Sequence, residues 1–253
     1  MEGFERKSLL YKTRVEYGDY TINHIMGCSH GCRYPCYAMM LSKRFGRCSS
    51  YEEWCQPKIV TNAMYLLEKE LPSKIDKINK IHLCFMSDPF MYGHPEISAL
   101  SVKIMKYINN YGLICSTLTK GVVPEDVLTT SKKNEIGITV VSLDNKFCEQ
   151  YEPGAAPVSD RIKSLCKVHE CGFKTWISIE PYPTPNIIEQ DLSELLESVS
   201  FADHFIFGKM NYNSLVSKYP NNKEFYDNCV KIVVDFCKKN NKTYHIKNGT
   251  ISI

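Results

Sequence analysis

Three cysteines fall within nine residues in the run Gly27-Cys28-Ser29-His30-Gly31-Cys32-Arg33-Tyr34-Pro35-Cys36-Tyr37-Ala38. Thiolates bind zinc and iron–sulfur centres, and a loop containing glycine and proline can wrap a compact one. Closed zinc sites and electron-transfer clusters usually take four ligands, yet no fourth cysteine lies close in sequence. The residues alone leave two readings open. In one, Cys28, Cys32 and Cys36 hold an iron–sulfur cluster with one iron free to bind a substrate or cofactor. In the other, the thiols are structural or belong to a zinc site completed by His24, His30 or a distant cysteine.

Composition narrows the setting. A chain of 253 residues with 12 cysteines is too long to read as a small disulfide scaffold, so clustered cysteines point to metal or redox chemistry in a reducing compartment. The opening MEGFERKSLLYKTR has no apolar core, and no run of about 18 apolar residues follows, so a cytoplasmic protein with no membrane partner is expected. The 31 basic and 28 acidic residues nearly balance, which neither names nor excludes a partner.

The elements that position the cysteines follow from alternating β-rich and helical-period segments, the signature of βα units and a parallel sheet. Strands are expected at 20–26, 81–86, 113–118, 136–142, 173–179, 204–208 and, more weakly patterned, 243–246. Helices are expected at 58–71, 95–111, 124–133, 159–171, 191–199 and 223–240. Ser159 is placed to cap the fourth helix with Asp160 in its first turn and Gly172 past its end, and Pro124 suits a helix start. Six βα units imply an α/β fold, either a barrel or an open doubly wound sheet. They are read as one domain over 1–253, with a core of about 20–210 and a C-terminal helix and extra strand within 220–250. In a barrel, the residues after each strand build the site.

The cysteine run resembles the cluster loop of radical S-adenosylmethionine enzymes, Cys-x3-Cys-x-aromatic-Cys, and is most similar to the spore photoproduct lyase-related group. It departs from that pattern by one residue, because Pro35 separates Tyr34 from Cys36. Met86-Ser87-Asp88-Pro89-Phe90 resembles the group's Ser/Thr-Asp-Pro-Tyr segment, Thr119-Lys120 its Thr-Lys pair, and Glu152-Pro153 with Pro157 and Arg161 its Glu-Pro-x-x-Pro...Arg stretch. Together these span about 20–185. The resemblance implies an incomplete (β/α)6-type partial TIM barrel and a [4Fe-4S] cluster on Cys28, Cys32 and Cys36. It also implies S-adenosyl-L-methionine as cofactor and a flavodoxin or ferredoxin as electron donor. The activity implied is reductive cleavage of that cofactor to a 5'-deoxyadenosyl radical, which abstracts a substrate hydrogen. Tyr34, Ser87, Asp88, Lys120 and Ser142 are then the expected cofactor contacts, with Asp88 facing the ammonium and Lys120 the carboxylate.

Barrel position adds candidate substrate contacts at Glu180, Lys209, Asn211 and Tyr212. A nucleic acid, a peptide or a small molecule all remain open as substrate. The spore photoproduct itself is not expected: the lyases' hydrogen-donating cysteine corresponds to Phe85 here, and Cys84 is offset by one residue in a strand whose side chains alternate. Cys84, Cys115, Cys166, Cys229 and Cys237 read as buried hydrophobes, while Cys48 and Cys55 could serve a second centre. The rival reading is an iron–sulfur or zinc binding module without catalysis. No P-loop or dinucleotide-binding glycine fingerprint points to another α/β enzyme.

Overall fold

The computed structural model describes residues 1–251, so the last two residues of the 1–253 span lie outside it. In chain order the elements begin β1 Gly3–Phe4, β2 Leu10–Lys12, β3 Tyr20–Ile22, β4 Ile25–Met26, α1 Tyr37–Arg44, α2 Tyr51–Trp54, β5 Lys58–Val60 and α3 Ala63–Glu70. They continue β6 Lys80–Leu83, α4 Pro95–Asn109, β7 Ile114–Thr119, β8 Glu135–Thr139, α5 Asn145–Tyr151, α6 Val158–Glu170 and β9 Lys174–Tyr182. The chain closes with α7 Leu192–Ser198, β10 His204–Lys209, α8 Ser214–Lys218, α9 Asn222–Lys239 and β11 Thr243–Ile246.

The main sheet has the order β11-β10-β9-β8-β7-β6-β3-β2, parallel from β3 to β11, with β2 antiparallel at the edge. Its edges β2 and β11 do not pair among the described residues, which leaves the partial barrel open. A small second sheet, β1-β5-β4, stands next to the cysteine loop, because β4 leads directly into it. The central strands are buried on both faces, as parallel strands under helices must be: Ile136, Ile138, Ile177, Ile179, Phe205 and Phe207 are all fully buried. Each such side chain contributes about 1.5–3 kcal/mol by leaving water.

Several boundaries differ from expectation, each for a local reason. The run 20–26 splits because Asn23 turns its Oδ1 to accept the Met86 N–H at 3.0 Å, so β4 leaves the main sheet and pairs with β5. The first strand of the 81–86 run ends at Leu83, since Cys84 takes a left-handed φ of 64° that no strand continues. Residues 58–60, expected to begin a helix, form β5 instead; Ile59 and Val60 are β-branched and fill a strand between β1 and β4. At 124–133 only a 3-10 turn over Glu125–Thr129 forms. There Thr129 and Thr130 donate their hydroxyls to the carbonyls of Asp126 and Val127, which competes with helix propagation. Helix α6 begins at Val158 behind Pro157, so Ser159 lies inside it and does not cap it, whereas Gly172 stops it at φ 85° as expected.

Candidate metal and cofactor site

The cysteine loop is shaped by its backbone. Gly27 has φ 81°, and a Cβ there would meet the Trp54 carbonyl at 2.8 Å. The Cys28 N–H donates to that same carbonyl at 2.8 Å. Gly31, at φ 56°, offers its carbonyl to the Tyr51 hydroxyl at 2.6 Å. Pro35 and an extended Cys36 then deliver the chain into α1, with no side-chain cap on the helix start. All 12 cysteines are free, including Cys28, Cys32 and Cys36, each of them partly exposed.

This donor set fits an iron–sulfur cluster. Three free thiols share one loop, Cys28 and Cys36 pack in a common shell with Cys55, Met86 and Trp54, and the buried Ser29 hydroxyl beside Cys28 has no partner. Among the described residues no three His, Cys, Asp or Glu side chains converge on one ion-sized point. Burial raises the Cys28 thiol well above the usual range, helped by Asp88 and the other two cysteines, and pushes Cys32 up to about 12. Both are therefore neutral thiols that release protons when a metal binds. Neither candidate zinc-completing histidine is free: the Tyr92 N–H donates to His30 Nε2 at 2.9 Å, while His24 Nε2 lies 2.7 Å from Ser101 Oγ.

Two buried carboxylates clamp this loop, one from the segment after strand β6 and one from the C-terminal end of helix α5. Asp88, after β6, uses Oδ1 to accept from the Phe90 N–H at 2.9 Å and the Thr119 hydroxyl at 2.6 Å. Its Oδ2 accepts the Lys120 N–H at 2.8 Å and faces His30 Nδ1 at 3.4 Å. Since the Tyr92 N–H occupies Nε2, the ring proton sits on Nδ1, and burial lowers the His30 pKa to about 4, so the ring is neutral. Four donors are what a carboxylate accommodates. Asp88 is thus a clasp joining the cysteine loop to the ends of β6 and β7.

Glu152, after α5, forms the second clamp. Its Oε1 accepts from the Tyr34 hydroxyl and lies 3.7 Å from Lys120 Nζ, while Arg161 Nη1 lies 2.7 Å from Oε2. Burial favours the neutral acid, but Lys120 and Arg161 together outweigh it and hold the carboxyl below its ordinary range. Lys120 Nζ also stands 5.4 Å over the Tyr34 ring. Gly154 brings its own chain against the loop: its N–H donates to the His30 carbonyl at 3.0 Å, and a Cβ there would lie 2.1 Å from the Ser29 carbonyl oxygen. The sequence offers His30 only as a possible zinc ligand, and Glu152 and Arg161 only as parts of a motif. The Glu-Pro...Arg spacing was the one signal available for the last two, whereas the partners of His30 lie more than 50 residues away.

The remaining expected residues divide. Ser87 joins the loop by donating its hydroxyl to the Gly27 carbonyl. Ser142 is fully buried and its Oγ accepts the Asp144 N–H at 3.1 Å, a strand-end turn. Glu180 lies 3.6 Å from Lys247 Nζ, in room left by Gly208, where a Cβ would come within 2.9 Å of both side chains. Lys209 is partly buried, whereas Asn211 and Tyr212 are exposed, and none of the three bonds to the cysteine loop or its clamps among the described residues. Cys48 and Cys55 pack in the apolar shell of the loop. Cys84, Cys115, Cys229 and Cys237 are buried as expected; Cys166 is partly exposed, 3.7 Å from Glu170. A cavity of about 620 Å³ lies at the opposite end of the barrel, where β6, β8, β9, β10 and β11 begin. No helix among the described residues is long and apolar enough to cross a membrane.

No family model matches the chain. A curated relative, the uncharacterized protein ORF301 of Acidianus two-tailed virus, is 26% identical over 192 residues, covering 71% of this chain. The chain spans only 61% of that relative's length. A structure of spore photoproduct lyase complexed with dinucleoside spore photoproduct superposes with a TM-score of 0.70 at 15% identity, covering 96% of this chain and 80% of the lyase. A variant of that lyase, with bound AdoMet and the same dinucleoside, gives a TM-score of 0.67 at 15% identity, with the same coverage of both chains. Streptococcus suis SuiB bound to S-adenosylmethionine gives 0.53 at 14% identity, covering 72% of this chain and 41% of SuiB. This chain therefore has the partial-barrel fold of spore photoproduct lyase, in keeping with the resemblance of its cysteine loop to that group.

Proposed function

We propose that this protein is a radical S-adenosylmethionine enzyme whose [4Fe-4S] cluster is held by Cys28, Cys32 and Cys36. The observation that carries the reading is the set of three free thiols on one loop, fixed by one carboxylate after strand β6 and another at the end of helix α5. When bound, the reduced cluster and S-adenosylmethionine together supply a 5'-deoxyadenosyl radical that takes a hydrogen atom from substrate. The chain's own residues hold and orient. Asp88 and Glu152 lock the loop, because each ties a residue between the cysteines, His30 or Tyr34, to the end of a strand or a helix. Lys120, 16% exposed at its side chain, keeps donors free for the cofactor carboxylate. Ser87 and Ser142 are polar contacts at the neighbouring strand ends. Asp88, saturated by the protein, acts on the cofactor through the position of Lys120.

Anaerobic reconstitution followed by assay for 5'-deoxyadenosine tests this reading against the rival of a metal-binding module without catalysis. A reconstituted protein that holds iron and sulfide yet releases no 5'-deoxyadenosine supports the rival.

The substrate we infer is not the spore photoproduct. The residue that the motif resemblance sets against those lyases' hydrogen donor is Phe85, whose ring stacks on His82 at 4.3 Å and on Tyr17 at 5.8 Å. The Cys84 thiol is turned to His24 Nδ1 at 3.5 Å, among Ile25, Met91 and Ile97. Incubating the reduced enzyme with S-adenosylmethionine and dinucleotide spore photoproduct should yield no thymine. Catalytic thymine release that disappears in Cys84→Ala would overturn this part of the reading.

A further inference from the structure

Residues 20–51, which include the whole cysteine loop, contain no acidic residue and four basic ones, Arg33, Lys43, Arg44 and Arg47. That local charge of +4 exceeds the net +3 of the entire chain. All four side chains are exposed, and none forms a salt bridge among the described residues. Between them stand exposed apolar groups: Tyr37 at 62%, Met40 at 37% and Phe45 at 63%. Scattered apolar residues are ordinary on a surface. These three lie within nine residues of one another, among cations that form no ion pair among the described residues, with Tyr37 and Met40 on α1 and Phe45 at its C-terminal cap, where Arg47 stands 5.7 Å over the ring. Tyr37, Met40 and Arg44 follow the i, i+3, i+7 spacing of a single helix face.

An apolar centre with a cationic rim complements a partner that is acidic around an apolar contact of its own. We propose that this face of α1 docks an acidic one-electron carrier protein of the flavodoxin or ferredoxin kind, an inference that rests on the cluster assigned above. The position favours such a carrier: the patch begins at a cluster ligand, so a partner seated there is brought next to the centre it must reduce. Redox encounters of this kind are transient and bury less than about 1,200 Å², so they do not need a large apolar face. Four cations neutralise few phosphates, and the exposed apolar groups among them add nothing to phosphate contact, so the patch suits a protein partner better than a nucleic-acid backbone. In the transfer step the carrier is oxidised by one electron and the cluster is reduced by one. No bond is made or broken.

The test uses reconstituted protein and two charge-reversed forms. One carries Lys43→Glu, Arg44→Glu and Arg47→Glu; the other carries Lys231→Glu, Lys238→Glu and Lys239→Glu on exposed positions of α9, which changes the net charge equally. Oxidised flavodoxin is titrated into each at low and high salt. Cluster reduction is followed by electron paramagnetic resonance with reduced flavodoxin and, separately, with dithionite. The expected result is flavodoxin binding to the wild type and the α9 form, with at least about tenfold weaker binding and slower reduction in the α1 form, lessened by salt. Dithionite should reduce all three alike. Phe45→Ser, which adds no charge, should weaken flavodoxin binding in the same direction. Equal flavodoxin binding by the α1 form and the wild type, or no binding by the wild type, overturns the proposal. So does loss of single-stranded oligonucleotide binding in the α1 form with flavodoxin binding intact, which assigns the face to nucleic acid. If dithionite generates no reduced cluster in any form, the cluster reading fails, and the flavodoxin titration still decides the docking face.

Discussion

Glu152 and Glu180 are glutamates largely withdrawn from water next to a lysine, yet their carboxyls are pushed in opposite directions. Around Glu152, burial is outweighed by two cations, Lys120 at 3.7 Å and Arg161 at 2.7 Å, and by the Tyr34 hydroxyl, so its pKa falls. Around Glu180, burial, helped by the neighbouring Glu16 carboxylate, prevails over Lys247 at 3.6 Å, the one cation in ion-pair contact with it, and the more distant Lys120, and the pKa rises. Lys247 is itself held closer to Glu16, at 2.7 Å. The number of cations committed to a buried carboxylate thus separates a fixed structural charge from one that protonates readily. It also separates the part of the molecule that locks the cysteine loop from the part that only borders the barrel.

The largest effect that sharpens this contrast is on stability. Glu152→Ala leaves Arg161, 1% exposed, without its counter-charge, and should cost about 3–5 kcal/mol in denaturant unfolding. Glu180→Ala leaves Lys247 on Glu16 and should cost less than about 1 kcal/mol. Equal losses at the two sites would break the comparison.

Next in size are the glycines beside each pair. Gly154→Ala forces a Cβ to within 2.1 Å of a backbone oxygen of the cysteine loop and should cost about 1–3 kcal/mol. At Gly208 a Cβ would meet the Glu180 carboxyl end and the Lys247 stem at 2.8–2.9 Å, side-chain atoms that can swing aside, so Gly208→Ala should cost less than Gly154→Ala. Thermal unfolding of the two variants checks that order.

How far the sequence carried this contrast depends on the range of each interaction. The cysteine loop was legible because its three thiols are local, and the parallel sheet was legible because apolar runs such as 173–179 and 204–208 are continuous. The 58–60 segment looks helical in sequence, since the pattern of α3 extends smoothly back into β5 and only pairing with β1 and β4 separates them. Glu180 drew attention by standing at a strand end, whereas Glu152 stood out only through a resemblance. The Tyr34 to Glu152 hydrogen bond spans 118 positions, and nothing in either residue's neighbourhood announces it.

The smallest effect is on pH dependence. Glu152, with a lowered folded pKa, contributes stability that is present above the unfolded value near 4.5 and is lost as pH falls through the folded value. The gap between wild type and Glu152→Gln should therefore narrow at acid pH. Glu180 has the reverse sign: its raised folded pKa gives stability that is full below 4.5 and declines as pH rises through the folded value. Glu180→Gln should remove that decline. Urea midpoints measured from about pH 2.5 to 7 read both slopes, Glu152's below 4.5 and Glu180's above it, and slopes of the same sign would contradict the opposed shifts.

The central claim is that the locked loop holds a catalytic cluster. Anaerobic reconstitution of the wild type, Cys36→Ala and a Cys166→Ala control, with S-adenosylmethionine and a low-potential reductant, tests it by iron content and released 5'-deoxyadenosine. The wild type and the control should bind about four irons and form 5'-deoxyadenosine, while Cys36→Ala should do neither. A full cluster and undiminished 5'-deoxyadenosine in Cys36→Ala, or no 5'-deoxyadenosine from a fully loaded wild type, would contradict it.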